Sequence, residues 1–188
     1  MHVDRHWFLT WHTYGTWLPG DPRGFVSPTR DDSGRQTLHN SPGTPINTGK
    51  SKLHDWSRNQ LKCSPIVFQR RHALVLAPQL LDTAARRSWQ VLALSVVTNH
   101  VHVLLGVHGD PEPEILLRDL KSYGSRALNR QFGRPSSETW WTESGSKRIR
   151  KTNKSVLATI RYTLRQDGAL VAWSARIPEL DLEEGYKS

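Results

Sequence analysis

The sequence lacks several features that define whole classes of protein. Its single cysteine, Cys63, excludes an intrachain disulfide among the 188 residues, as is typical of a reducing compartment. No apolar run approaches the roughly 20 residues that a membrane-spanning helix needs. Residues 1–5 also lack the apolar core of a signal peptide. These absences predict a soluble, cytoplasmic protein without a membrane anchor.

Acidic residues are also few compared with basic ones. Seventeen Asp and Glu against 26 Lys and Arg give a net charge of +9 and an isoelectric point of about 10.1. Such an excess indicates a polyanionic partner, of which nucleic acid is the commonest. Eight tryptophans lie among these cations and could stack on unpaired bases. For any single tryptophan, packing in the core is the simpler interpretation.

The apolar pattern predicts one domain over residues 1–188. A first strand is predicted at 6–13. Residues 26–64, rich in Ser, Thr, Asn, Gly and Pro, predict a loop insertion with at most a short helix near 53–61. The chain from residue 174 to 188 is expected to be a loose tail.

The remaining elements alternate between helices and strands. They are predicted as helix 78–89, strand 90–97, strand 100–107, helix 114–132, weak edge strand 139–142 and helix 154–166. This order predicts an α/β protein of the α+β kind. Its expected architecture is a ferredoxin-like sandwich, with an antiparallel sheet, helices on one face and a long insertion after the first strand.

Two histidines interrupt an apolar strand at residues 96–105. Alternate residues of a strand point to the same face, so His100 and His102 project side by side while Val101 and Val103 point the other way. Two imidazoles on one strand face can bind one divalent cation. The alternative is a pair of half-buried polar residues at the edge of the core.

The last predicted helix places a tyrosine and a glutamine on one face. Tyr162 and Gln166 are four residues apart, which is about one helical turn. A deprotonated tyrosine is a good nucleophile towards a phosphodiester whose phosphate is polarised by a metal. Spacing alone favours the simpler interpretation, a surface tyrosine and a polar residue at the helix end. Tyr123, on the preceding helix, falls on the inward face by pattern and is interpreted as a packing residue.

These motifs together resemble one enzyme family. The stretch 99–105, Asn-His-Val-His-Val-Leu-Leu, resembles the His–hydrophobic–His motif of the HUH nucleases. Residues 161–166, Arg-Tyr-Thr-Leu-Arg-Gln, resemble the tyrosine helix of single-tyrosine HUH transposases. Residues 120–129, the pair Trp140-Trp141 and the opening 7–19 are similar to the REP-associated tyrosine transposase branch. The resemblance covers most of the chain except about 26–64.

The resemblance implies a mechanism and a partner. His100 and His102 would bind Mg²⁺ or Mn²⁺, with Gln166 as the third ligand. Tyr162 would attack single-stranded DNA that carries a hairpin, giving a 5′-phosphotyrosine intermediate. Relatives with Asn-Pro after the tyrosine differ at the fourth position from the Gln166-Asp167-Gly168 of this chain. The resemblance allows either a monomer or a homodimer.

Basic residues outside the motifs are predicted to contact the DNA. They lie on the 114–132 helix and in a run before the last helix, namely Lys121, Arg126, Arg130, Lys147, Arg148, Arg150 and Lys151. A charge run is usually a solvated surface, so this assignment depends on the partner being DNA. Two other functions remain open. One is a non-catalytic, domesticated DNA-binding protein of the same fold, and the other is a metal-dependent hydrolase that uses water as its nucleophile.

Overall fold

The described part of the chain contains seven strands and four helices. The computed structural model describes residues 3–21, 28–30, 36–38 and 51–176. Its strands are β1 (Arg5–His12), β2 (Pro28–Arg30), β3 (Gln36–Leu38), β4 (Gln90–Val97), β5 (His100–Val107), β6 (Ser146–Arg150) and β7 (Ala169–Ser174). Its helices are α1 (Ser51–Asn59), α2 (Arg70–Arg86), α3 (Pro113–Phe132) and α4 (Asn153–Leu164).

Five strands form the main sheet, in the order β6-β1-β5-β4-β7. Every neighbouring pair is antiparallel. Because β5 lies antiparallel to both β1 and β4, those two strands run parallel with β5 between them. The order β1-α2-β4-β5-α3-β6 is therefore the ferredoxin-like βαββαβ unit, to which α4 and β7 are added. The predicted α+β class and antiparallel sheet are confirmed.

The two faces of the sheet carry separate clusters of buried side chains. On one face, Leu9, Trp11 and Val103 pack with the apolar sides of α2 and α3. On the other, Phe8 and Leu104 pack with the buried residues of α4. Helices α2 and α3 thus lie on one face as predicted, and α4 covers the opposite face. The alternation of side chains along each strand makes two such clusters possible.

Several element boundaries differ from the predicted ones. Helix α2 begins at Arg70, eight residues before Pro78, because Gln69 and His72 form a reciprocal capping box there. Pro78 lies inside the helix and only removes one backbone donor. The predicted edge strand at 139–142 is reduced to one bridge between Thr13 and Trp141. The charged run that follows is the edge strand β6.

The insertion and the tail are described only in part. Within 26–64, strands β2 and β3 pair into a small separate sheet and α1 is the short helix expected near 53–61. At the other end, residues 169–174 form β7. The loose tail predicted at 174–188 lies mostly outside the described residues, which end at 176. None of the described helices is long and apolar enough to cross a membrane.

Candidate active site

Strands β1 and β5 place polar side chains side by side on the face that α4 covers. In the antiparallel register, Thr10 lies opposite His102 and His12 lies opposite His100. The two histidines of β5 project to one face, and their ring centroids are 4.5 Å apart. The register therefore extends the histidine pair into a group of four polar residues shared by two strands.

His102 lies at the buried end of this group, with a side chain that is only 4% exposed. Its Nδ1 is 2.8 Å from Thr10 Oγ1, and its ring stacks on Phe8 at a centroid distance of 5.2 Å. Burial lowers the pKa of His102 to about 3, with a further lowering from His100 and an opposing interaction with Gln166. The imidazole is therefore neutral at physiological pH, as a metal ligand must be.

His100 is half-buried and lies nearer to solvent than His102. Its Nδ1 is 2.7 Å from the side-chain oxygen of Asn99. On its other side, the ring of His12 lies 5.6 Å away and itself packs against Trp17 at 4.5 Å. Both histidines of β5 thus have an oxygen partner at Nδ1, as is usual for histidines that bind a cation through Nε2.

Helix α4 brings Tyr162 to the same group. Thr152 caps the helix by accepting from the backbone of Ser155, and Val156 and Ile160 hold it against the sheet. The Tyr162 ring meets His102 edge to face at 5.4 Å and is 52% exposed. A single chain therefore supplies both the phenol and the imidazoles, and solvent can reach the phenol.

Gln166 lies two residues beyond the end of α4. Its side-chain Nε2 donates to the carbonyl of Tyr162 at 2.9 Å, which ties the amide to the end of the helix. The same side chain interacts with His102 and raises its pKa against the larger effect of burial. The amide nitrogen is thus engaged at the end of the helix, and the amide oxygen is the atom that could bind a cation.

The donor set at this group fits a divalent cation in composition. His102 Nε2 is buried without a hydrogen-bond partner within the described part of the chain, which is costly for a ring nitrogen unless a ligand satisfies it. Over residues 3–21, 28–30, 36–38 and 51–176, no three His, Cys, Asp or Glu side chains form a metal-binding group. A ligand set at this group would therefore combine the two imidazoles with a neutral oxygen, for which the amide of Gln166 is the candidate from the sequence.

The predicted DNA-binding residues divide between the two faces of the sheet. On β6, Arg148 and Arg150 pair with Phe8 and His6 of β1 and so share the face of the histidines. Arg148 is exposed. Arg150 lies 5.2 Å from the Phe8 ring, and its Nε donates to Thr159 of α4 at 2.8 Å. Lys151, at the entry to α4, is exposed.

The other predicted DNA-binding residues lie on the α2–α3 side. Lys147 pairs with Glu114 at 2.7 Å, Arg126 stacks on Tyr123 and Arg130 donates to Gln79. The ammonium of Lys121 donates to the carbonyls of residues 142, 143 and 144. Burial lowers the pKa of Lys121 to about 8. Their contact with DNA stays a prediction.

Four residues of the site were not assigned a role from the sequence: Phe8, Thr10, His12 and Asn99. The signal for three of them was the alternation of β1, since Trp7, Leu9 and Trp11 on one face leave the intervening residues on the other. What the sequence did not contain was the register between β1 and β5, which are far apart in the chain.

Comparison with known proteins assigns the chain to a family. The family model described as "Transposase IS200 like" matches residues 62–162, more than half of the chain. The matched segment includes both histidines of β5 and ends at Tyr162. The chain therefore belongs to the IS200-like transposase family, a class of proteins that act on DNA. No curated protein matches the sequence.

Two solved structures are similar to this one at low sequence identity. A REP-associated tyrosine transposase bound to a REP hairpin is 12% identical, with a TM-score of 0.47 over 87% of this chain and 68% of that one. A proposed transposase from Deinococcus radiodurans R1 is 16% identical, with a TM-score of 0.45 over 86% of this chain and 89% of that one. At these identities neither likeness bears on the chemistry of the site.

Proposed function

We propose that this transposase is a metal-dependent endonuclease and strand transferase that acts on single-stranded DNA carrying a hairpin. The proposal depends on one observation: Tyr162 lies beside the histidine pair of the same chain. The ring centroids of Tyr162 and His102 are 5.4 Å apart. A phenol beside two imidazoles that could hold a cation is the arrangement that nucleophilic attack on a phosphate needs.

The proposed chemistry assigns one role to each residue. His100, His102 and the oxygen of Gln166 would hold Mg²⁺ or Mn²⁺, which polarises the scissile phosphate when bound. Tyr162 loses its phenolic proton and its oxygen attacks the phosphorus. The bond to the 3′ oxygen breaks, that oxygen takes up a proton, and a 5′-phosphotyrosine remains. Attack by another 3′-hydroxyl reverses the step and joins two strands.

The charge distribution supports a DNA substrate at this face. Arg148 and Arg150 lie on the edge strand beside β1, on the same side of the sheet as the histidines. They are two residues apart on a strand and so line one path along the sheet edge. Phosphates of a bound strand would follow that path toward Tyr162. The hairpin is the part of the proposal that the sequence resemblance supplies.

The test is covalent trapping. Wild-type protein is incubated with Mn²⁺ and a 5′-labelled or 3′-labelled single strand that contains a hairpin, and adducts are separated on a denaturing gel. We expect an adduct that carries the 3′-side fragment, and none from Tyr162→Phe. Tyr123→Phe is the matched control, because Tyr123 lies on α3 against Arg126. It should form the adduct at the wild-type rate.

Two other outcomes would each replace the proposal. Cleavage without any adduct in wild-type protein would indicate a hydrolase that uses water. DNA affinity without cleavage in Mn²⁺ would indicate a non-catalytic binding protein. The oligomeric state follows from mixing Tyr162→Phe with His100→Ala protein. Complementation indicates a dimer with shared sites, and its absence agrees with the single-chain site described above.

A further inference from the structure

The turn between β4 and β5 contains a side chain that contacts the first histidine of the pair. Asn99 directly precedes His100, and its side-chain oxygen lies 2.7 Å from His100 Nδ1. An amide oxygen only accepts hydrogen bonds, so the imidazole nitrogen that faces it must carry the proton. The proton on Nδ1 leaves Nε2 with a lone pair, and Nε2 is the atom that would face a cation.

The backbone of Asn99 is fixed by the residues that follow β1. Its carbonyl accepts from the Thr13 amide at 2.9 Å. The Thr16 hydroxyl is 3.0 Å from the same carbonyl and 2.9 Å from the carbonyl of Thr13. Thr13 is fully buried. The turn is therefore tied to β1 through two separate donors.

The same turn is held from a second direction. The Thr13 hydroxyl donates to the carbonyl of Ile66 at 2.6 Å, and the amide of Phe68 donates to the carbonyl of Thr98 at 2.6 Å. Residues 66–68 thus bridge the end of β1 and the turn. Because both carbonyls of this two-residue turn are engaged, the backbone of Asn99 is held beside His100, within reach of the bond between their side chains.

We propose that Asn99 is a positioning residue for His100, and that Thr13 and Thr16 hold Asn99 in place to present His100 Nε2 toward the cation. Such outer partners fix the tautomer and the ring orientation of a metal-binding histidine. The proposal deepens the proposed function, because it takes His100 to be a ligand. The orientation itself does not depend on whether a metal binds.

The first measurement is the tautomer of His100 in metal-free protein. Ring ¹⁵N shifts of ¹⁵N-histidine-labelled protein are recorded at pH 8, and His100 is assigned from the spectrum of His100→Gln. We expect His100 to be protonated at Nδ1 in wild-type protein and in Asn99→Asp, which keeps an oxygen acceptor. In Asn99→Ala the two tautomers should mix. A wild-type His100 protonated at Nε2 would overturn the proposal.

The second measurement is Mn²⁺ affinity without DNA, from electron paramagnetic resonance of free Mn²⁺. We expect Asn99→Ala to weaken binding roughly 10- to 100-fold and Asn99→Asp to stay within a few-fold of wild type. Thr16→Val should weaken it by a smaller factor. Thr83→Val is the matched control, since Thr83 is a buried threonine of α2 whose hydroxyl also donates to a backbone carbonyl.

The outcomes separate the inference from the proposed function. Unchanged affinity and tautomer in Asn99→Ala, or an equal loss in Thr83→Val and Thr16→Val, would overturn the positioning role. If wild-type protein binds no Mn²⁺ but shows the expected tautomers, the positioning of His100 stands and the metal-dependent function fails.

Discussion

The ring of Tyr162 meets the ring of His102 edge to face at a centroid distance of 5.4 Å. The two residues come from elements on opposite sides of one interface, helix α4 and strand β5. Phe8 of β1 contacts both rings, stacked on His102 at 5.2 Å and edge-on to Tyr162 at 6.0 Å. The apolar ring of Phe8 therefore sets the spacing between the proposed nucleophile and the proposed ligand.

Gln166→Ala should weaken Mn²⁺ binding, by roughly tenfold, because it removes one of three proposed ligands. Gln166→Glu should bind Mn²⁺ at least as tightly as wild type, since a carboxylate is a stronger oxygen ligand. Isothermal titration with Mn²⁺ measures both. Gln131→Ala, an exposed glutamine at the far end of α3, is the control. Equal affinity in Gln166→Ala and wild type would remove Gln166 from the ligand set.

The buried neutral His102 should make the protein sensitive to acid. Its folded pKa of about 3 lies below the ordinary value of 6.5, so the unfolded chain takes up a proton that the folded protein does not. Above pH 6.5 both states hold His102 neutral, and the free energy of unfolding is at its full value. It falls as the pH drops from 6.5 towards 3, because only the unfolded chain takes up the proton. Between pH 7 and pH 5 this amounts to something on the order of 2 kcal/mol.

Urea unfolding at pH 7 and pH 5 tests this dependence. Wild-type protein should lose more unfolding free energy over that interval than His102→Gln, which cannot take up the proton. His108→Gln, at a side chain that is 44% exposed, serves as the control and should follow wild type. Parallel curves for wild type and His102→Gln would contradict the burial argument.

Arg148→Ala should weaken DNA binding and flatten its dependence on salt. Loss of one phosphate contact lowers the slope of log affinity against log salt by roughly 0.7 for a single strand. Fluorescence anisotropy of a labelled hairpin strand, measured at salt concentrations from roughly 50 to 300 mM NaCl, gives that slope. Arg86→Ala is the control, because Arg86 is paired with Asp82 on α2, across the sheet. Equal slopes for all three proteins would place the DNA elsewhere.

Lys121→Met should destabilise the protein, because the ammonium donates to three carbonyls of residues 142–144. Hydrogen bonds from a charged donor contribute about 1.5–3 kcal/mol, and two of these three are exposed, so we expect a loss of unfolding free energy near the lower end of that range. Chemical unfolding measures it. Lys62→Met removes an exposed ion pair with Glu138 and should cost less unfolding free energy than Lys121→Met. The salt slope of DNA binding by the same variant tests the predicted phosphate contact of Lys121 separately.

The strands β4 and β5 and the helices α3 and α4 were predictable, because their apolar residues repeat at the spacing of each element. The start of α2 was not, since Pro78 is a usual first residue of a helix and the Gln69–His72 capping box is an uncommon signal. Strand β6 was missed for a similar reason. Its residues, Ser-Lys-Arg-Ile-Arg, are mostly charged, and only pairing with β1 makes them a strand.

The sequence by itself determined the residue types of the site and which of them share a face, since alternation on a strand and a four-residue spacing on a helix are local properties. It placed His100 beside His102 and Tyr162 beside Gln166. Only the tertiary structure decided that these two pairs meet, that α4 lies on the histidine face, and that Thr10, Asn99 and His12 join them. Those facts depend on strand register and on which sheet face a helix covers, and both are set by contacts between distant segments.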